Sequence, residues 1–195
     1  MRKFKSSILF VLTFIFFTLT AHVYAQPKNS RASNEALNST EIASLLFMRE
    51  EEKMARDVYI KMYGRWNDSV FDNIASSEQE HMDAVKVLLD KYNLTDPVID
   101  SIGVFNDPEL QHQYDELLER GEISHLEGLR VGALIEEVDM QDIQEAIDTI
   151  ENEDMISTYE SLLKGSRNHL RSFVSKIEGQ GVVYEAQVLT QEVGD

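Results

Sequence analysis

The sequence predicts an all-α protein, an antiparallel four-helix bundle with one long crossover between the second and third helices, and three observations carry that prediction. Apolar residues recur every third or fourth position along four stretches of matched length. Helix-start and helix-stop signals bracket those stretches. The first and second stretches, and the third and fourth, are joined by short turns that force antiparallel neighbours, whereas residues 93–123 separate the second from the third.

The first helix is expected over about residues 40–63. Asn38 with Glu41 forms a capping box, and Leu45, Met48, Glu52, Ala55, Tyr59 and Met62 keep helical spacing as far as Gly64. A turn from Gly64 to Asp68 leads into the second helix, about 69–92, with Phe71, Ile74, Glu78, His81, Met82, Val85 and Leu89 on one side. The crossover holds a smaller helix, about 108–120, opened by Asp107 before Pro108 and closed by Gly121. Ser124 with Glu127 opens the third long helix, about 124–150, through Leu129, Ala133, Glu136, Met140, Ile143 and Ile147. An acidic turn from Glu151 to Asp154 precedes the fourth, about 153–177, with Tyr159, Leu162, Leu163, Ser166, Leu170, Phe173 and Ile177 before Gly179. Each long helix spans roughly 36 to 40 Å at the α-helical rise. Residues 179–195 have no period and read as an irregular extension.

The N-terminus reads differently. Arg2, Lys3 and Lys5 precede an apolar run from Ile8 to Leu19, and Val23 and Ala25 supply the small residues of a cleavage site. Residues 1–25 are therefore expected to be a secretory signal, cut near Ala25, and residues 26–39 a flexible leader. The alternative, a retained anchor, meets the objection that the run is shorter than the roughly 20 residues a spanning helix needs. Export to the periplasm or the cell exterior follows, with no membrane association after cleavage.

The 195 residues hold 35 acidic and 18 basic side chains, a formal net charge of -17. Nucleic acid is excluded as a partner on that balance, and cations are favoured. No cysteine is present, so disulfides and thiolate-ligated iron centres are excluded. Any metal site must use oxygen and imidazole nitrogen, donors that suit iron, manganese and zinc.

Polar residues interrupt the apolar stripes. At about 100° per residue, Glu52, Glu78 and Glu136 each fall near the middle of an apolar face. His81 lies three residues after Glu78 on the same face, and His169 sits at the edge of the inward face of the fourth helix. Buried carboxylates need protons, cationic partners or metal ions, and two divalent ions would supply four positive charges. The competing expectation is a structural network in which Arg56 neutralises Glu52 and His81 bonds Glu136. His112 in the crossover and His125 at the start of the third helix are weaker candidates.

These motifs resemble the ferritin-like superfamily over about residues 40–178, nearest to rubrerythrin-type proteins and to the domain-of-unknown-function 2202 group. Glu52 with Ala55, Arg56 and Tyr59 resembles a first-helix Glu-x-x-Ala-Arg-x-x-Tyr motif, Glu78 with His81 a second-helix Glu-x-x-His, and Glu136 with Asp139 a third-helix acid pair. The departure is Ser166, where a fourth-helix Glu-x-x-His ending in His169 would have Glu. Asp139 or Glu137 would then supply the missing oxygen, or the position would stay open to water or substrate.

The resemblance implies a di-iron centre that oxidises ferrous iron or reduces dioxygen or peroxide. Glu52, Glu78, His81, Glu136 and His169, with Asp139 as a further candidate, would be ligands, Glu52 or Glu136 or both bridging. Tyr59 and Arg56 would orient them. A metal-binding or scavenging module without turnover, and an acidic helical interaction protein without metal, are the alternatives. A homo-oligomer is compatible with the resemblance, although the sequence specifies no cage interface.

Overall fold

The structure, a computed structural model, describes residues 36–189. The expected signal (1–25) and most of the expected leader lie outside the described residues.

Five helices follow one another: α1 (Ser39–Trp66), α2 (Ser69–Lys91), α3 (Pro108–Gly121), α4 (His125–Thr149) and α5 (Glu153–Glu178). The four long ones form a ring in which α1 packs on α2, α2 on α5, α5 on α4 and α4 on α1, and α3 lies across α1 and α4. Every neighbouring pair in the ring is antiparallel, as the short turns require. Among the described residues no helix is long and apolar enough to cross a membrane.

Asn38 and Glu41 make the expected reciprocal capping box, and Asp107 and Ser124 cap their helices as expected, although the Glu127 carboxylate goes to Arg120 and Arg130 instead of back to Ser124. Asp68 and Asn152 accept from the first turns of the other two helices. Glu41 also accepts from the backbone N–H groups of Glu151 and Asn152, at 3.2 and 3.0 Å. One carboxylate thus ties the start of α1 to the α4–α5 turn.

Gly64 does not end α1. The helix continues to Trp66, and the left-handed residue is Asn67, at φ 52°. The Trp66 indole N–H donates to the Gly121 carbonyl at 3.1 Å, and that tertiary anchor outweighs the cost of about 1 kcal/mol for a glycine inside a helix.

The crossover covers the outer side of α1. Lys53, fully buried, donates to Asp57 at 2.5 Å and to the carbonyls of Ser101 and Val104, while the N–H of Gly103 reaches Asp57 and that of Asn106 reaches Glu50. Arg49 pairs with Asp96 at 2.9 Å. Residues Met48 to Ala55 are all buried, although five of the eight are charged. Fixing the irregular strap with backbone-directed charges satisfies groups that an apolar α1 would leave unpaired.

The apolar core is split in two. One cluster gathers Val58, Tyr59, Phe71, Leu129 and Phe173; the other gathers Leu45, Val85, Met140, Ile143 and Tyr159. On each helix the inward acid or histidine falls between them.

Candidate metal centre

Glu52, Glu78 and Glu136 are 1, 2 and 1 % exposed, and their carboxylates meet two imidazoles in the gap between the clusters. His81 Nδ1 lies 2.8 Å from Glu78 Oε2 and 3.2 Å from Glu52 Oε2. His169 Nδ1 lies 2.9 Å from Glu78 Oε1 and 3.4 Å from Glu136 Oε2. The two rings stack with centroids 5.3 Å apart. Two groups result, Glu52–Glu78–His81 and Glu78–Glu136–His169, each with ligand atoms within 4.8 Å of one another. Glu78 belongs to both groups.

Local sequence explains the poses. Tyr59, on α1, donates its hydroxyl to Glu136 Oε1 on α4 at 2.5 Å. Ser77 Oγ contacts His169 Nε2 at 2.8 Å, which leaves Nδ1 for the carboxylates. Gly165 faces His81, and a β-carbon there would run into the imidazole, 2.7 Å from Cε1. Gly165 and Ser77 escaped the sequence reading. Their signal would have been a small residue on an inward face opposite a large donor.

The electrostatics are those of a positive-charge deficit. Burial, with Glu78 adding to it, pushes the Glu52 carboxyl up to about 8 against the opposing pull of His81. Burial and Glu78 likewise push Glu136 up to about 8, and burial with Glu52 and Glu78 raises Asp139. For Glu78 burial also acts upward, but His169 and His81 outweigh it and hold the group at about 2. Burial opposes charge on the imidazoles, yet Glu52 and Glu78 raise His81 to about 12, and Glu136 and Glu78 raise His169 to about 10.

Several atoms of this set are left over. Glu52 Oε1, Glu78 Oε1, Asp139 Oδ1 and His169 Nδ1 are buried without a hydrogen-bond partner. The 2.9 Å approach of His169 to Glu78 Oε1 is close but misaligned for a hydrogen bond. Natural cores rarely leave such atoms orphaned. Three carboxylates and two imidazoles facing one space fit divalent metal ions.

Three expectations need correction. Arg56 does not touch the five donors: it pairs with Asp57 at 2.8 Å and donates to Gln79 at 2.5 Å, because Asp57 needs both Arg56 and Lys53 to hold the crossover. It neither neutralises Glu52 nor orients a ligand, and His81 bonds Glu52 and Glu78 instead of Glu136. Glu137 points away, its carboxylate taken by Tyr184 Oη and the N–H groups of Gln187, Val188 and Leu189 at 2.5 to 3.1 Å. Asp139 turns toward the centre, with Ser166 Oγ donating to its Oδ2 at 2.5 Å. His112 is exposed beside Glu116, and His125 pairs with Asp68.

Fold and geometry together define an all-α bundle with a buried carboxylate and histidine cluster able to hold metal. The chain belongs to the family described as Uncharacterized protein domain (DUF2202), which matches residues 41–195. It is 47% identical over 164 residues to Uncharacterized protein MJ0754 of Methanocaldococcus jannaschii, covering 84% of this chain and 89% of that protein. The crystal structure of hypothetical protein MJ0754 superposes with a TM-score of 0.81 at 46% identity, covering 85% of this chain and 95% of the other.

Proposed function

We propose that the protein holds two metal ions, iron in the first instance, and oxidises ferrous iron or reduces dioxygen or peroxide. The observation that carries this reading is the pair of three-donor groups sharing Glu78, with four ligand-type atoms left unpartnered. Iron would be held by Glu52, Glu78 and His81 on one side and by Glu78, Glu136 and His169 on the other, and would supply one-electron chemistry toward small oxidants.

The chain's own residues set the terms. His81 and His169 bind only as neutral imidazoles, so each surrenders a proton on loading. Tyr59 fixes the Glu136 rotamer through its hydroxyl. Ser166 holds Asp139 by one oxygen and leaves the other unpartnered, and Asp139 would then supply the oxygen of the glutamate expected at position 166. Apolar clusters flank the site on either side. The likeness of Glu52-x-x-Ala-Arg-x-x-Tyr59 and Glu78-x-x-His81 to rubrerythrin-type motifs supports the ferritin-like assignment and the choice of iron.

The test is aerobic titration of purified protein with ferrous ion. Two iron atoms per chain and a new near-ultraviolet absorbance are expected, both lost in Glu52→Ala and His81→Ala. Unchanged iron content in those variants overturns the proposal. A second reading, metal binding without turnover, is favoured by the hydroxyl at Ser166; tight uptake of iron, manganese or zinc with no consumption of dioxygen or peroxide would select it.

A further inference from the structure

The protein satisfies its buried carboxylates outside the centre with evident care. Glu41 accepts from Asn38, Glu151 and Asn152 backbone groups, Glu50 from Asn106, Asp57 from Lys53, Arg56 and Gly103, and Glu137 from the C-terminal strap. Glu51 breaks this rule. It is 4 % exposed, and its Oε2 is buried with no hydrogen-bond partner. The group it faces is the carboxyl of Asp142 on α4, another acceptor. Two carboxylates within hydrogen-bond reach of each other need a shared proton or a cation between them.

The pair is also placed along a line. Asp142 is half-buried and open to solvent, Glu51 is buried behind it, and Asp139 follows one turn earlier on α4. Asp139 carries a second unpartnered oxygen and lies near Glu52, Glu78 and Glu51. Glu51 thus lies beside Asp142 and Asp139, and Asp139 beside Glu52 and Glu78. The outer members offer only hard oxygen donors and no imidazole, which gives weaker and faster-exchanging coordination than the histidine-bearing centre.

We propose that Glu51 and Asp142 form an entry site for a divalent cation, which passes by Asp139 to the centre at Glu52 and Glu78. The site rests on the di-metal reading given above. It takes a hydrated divalent ion drawn in by the acidic surface, exchanges part of its water for carboxylate oxygens, and releases it inward to the stronger ligands. The acceptor-only pair is the reason that a cation, and not an anion or a neutral molecule, is the occupant.

Cobalt(II) serves as the probe, because its visible d–d absorption changes when nitrogen enters its coordination. Anaerobic stopped-flow mixing of cobalt with apo-protein should show loading slowed at least tenfold in Glu51→Gln/Asp142→Asn, with the same final two ions per chain and an unchanged circular dichroism spectrum. Asp142→Asn alone, at the half-exposed end, should slow loading by a smaller factor and guards against a folding defect of the double variant. Asp148→Asn/Glu160→Gln removes two exposed charges from α4 and α5 and should load within twofold of the parent. Parent-like rates in the double variant overturn the entry site while leaving the di-metal reading intact, and they point to a carboxyl pair that merely shares a proton. Equal slowing in the Asp148/Glu160 control reduces the effect to surface charge and also overturns it. Failure of the parent to bind cobalt removes the di-metal reading and this inference with it.

Discussion

Raising the pH of the metal-free protein should destabilise it over the range in which most proteins are stable. Glu52 and Glu136 keep their protons in the folded state up to about 8, whereas in the unfolded chain they lose them near the ordinary value of 4.5. Between those limits these two groups hold two protons that they have lost in the unfolded chain. Stability then falls by on the order of 3 kcal/mol per pH unit for the pair. His81 and His169, raised to about 12 and 10, act in the same direction: their contribution is complete below 6.5 and is lost as pH rises toward those values. Glu78, held at about 2, contributes fully above 4.5, so its effect is constant across the window. For a domain of this size the carboxyl pair alone amounts to a fall in Tm of roughly 5 to 10 °C per pH unit. Thermal melts followed by circular dichroism, in chelator at pH 6, 7 and 8, measure it directly. Metal-loaded protein should lack the slope, and Glu52→Gln/Glu136→Gln should flatten it without metal. A chelated Tm that is level or rises across pH 6 to 8 refutes the account of the centre as a proton-filled deficit of positive charge.

Gly165→Ala should displace the His81 imidazole and remove one of the two ions while leaving the Glu78–Glu136–His169 group able to bind, giving about one ion per chain by metal analysis. Tyr59→Phe should weaken metal affinity by about 10- to 100-fold, since the hydroxyl that fixes Glu136 is lost; competition with a chromogenic chelator gives the number. Lys53→Met strands Asp57 beside a lone Arg56 and should cost about 3 to 5 kcal/mol in urea denaturation. Glu137→Ala should free the C-terminal strap, seen as lost hydrogen-exchange protection at Gln187, Val188 and Leu189.

The sequence determined the helices, their order and the five inward donors, because those are properties of single helices: periodicity sets the buried face, and Glu52, Glu78 and Glu136 stand on it whatever the neighbours do. Caps such as Asn38 with Glu41 are equally local and equally legible. What lay beyond reach depended on partners distant in the chain. Arg56 lies one turn from Glu52 and Glu137 next to Glu136, yet the crossover claims one through Asp57 and the C-terminal strap claims the other. Gly64 reads as a helix stop until Trp66 finds the Gly121 carbonyl. The sharing of Glu78 between two groups follows from the relative axial shift of α2 against α1, α4 and α5, a quantity that no single helix encodes and that side-chain packing in the two flanking apolar clusters decides.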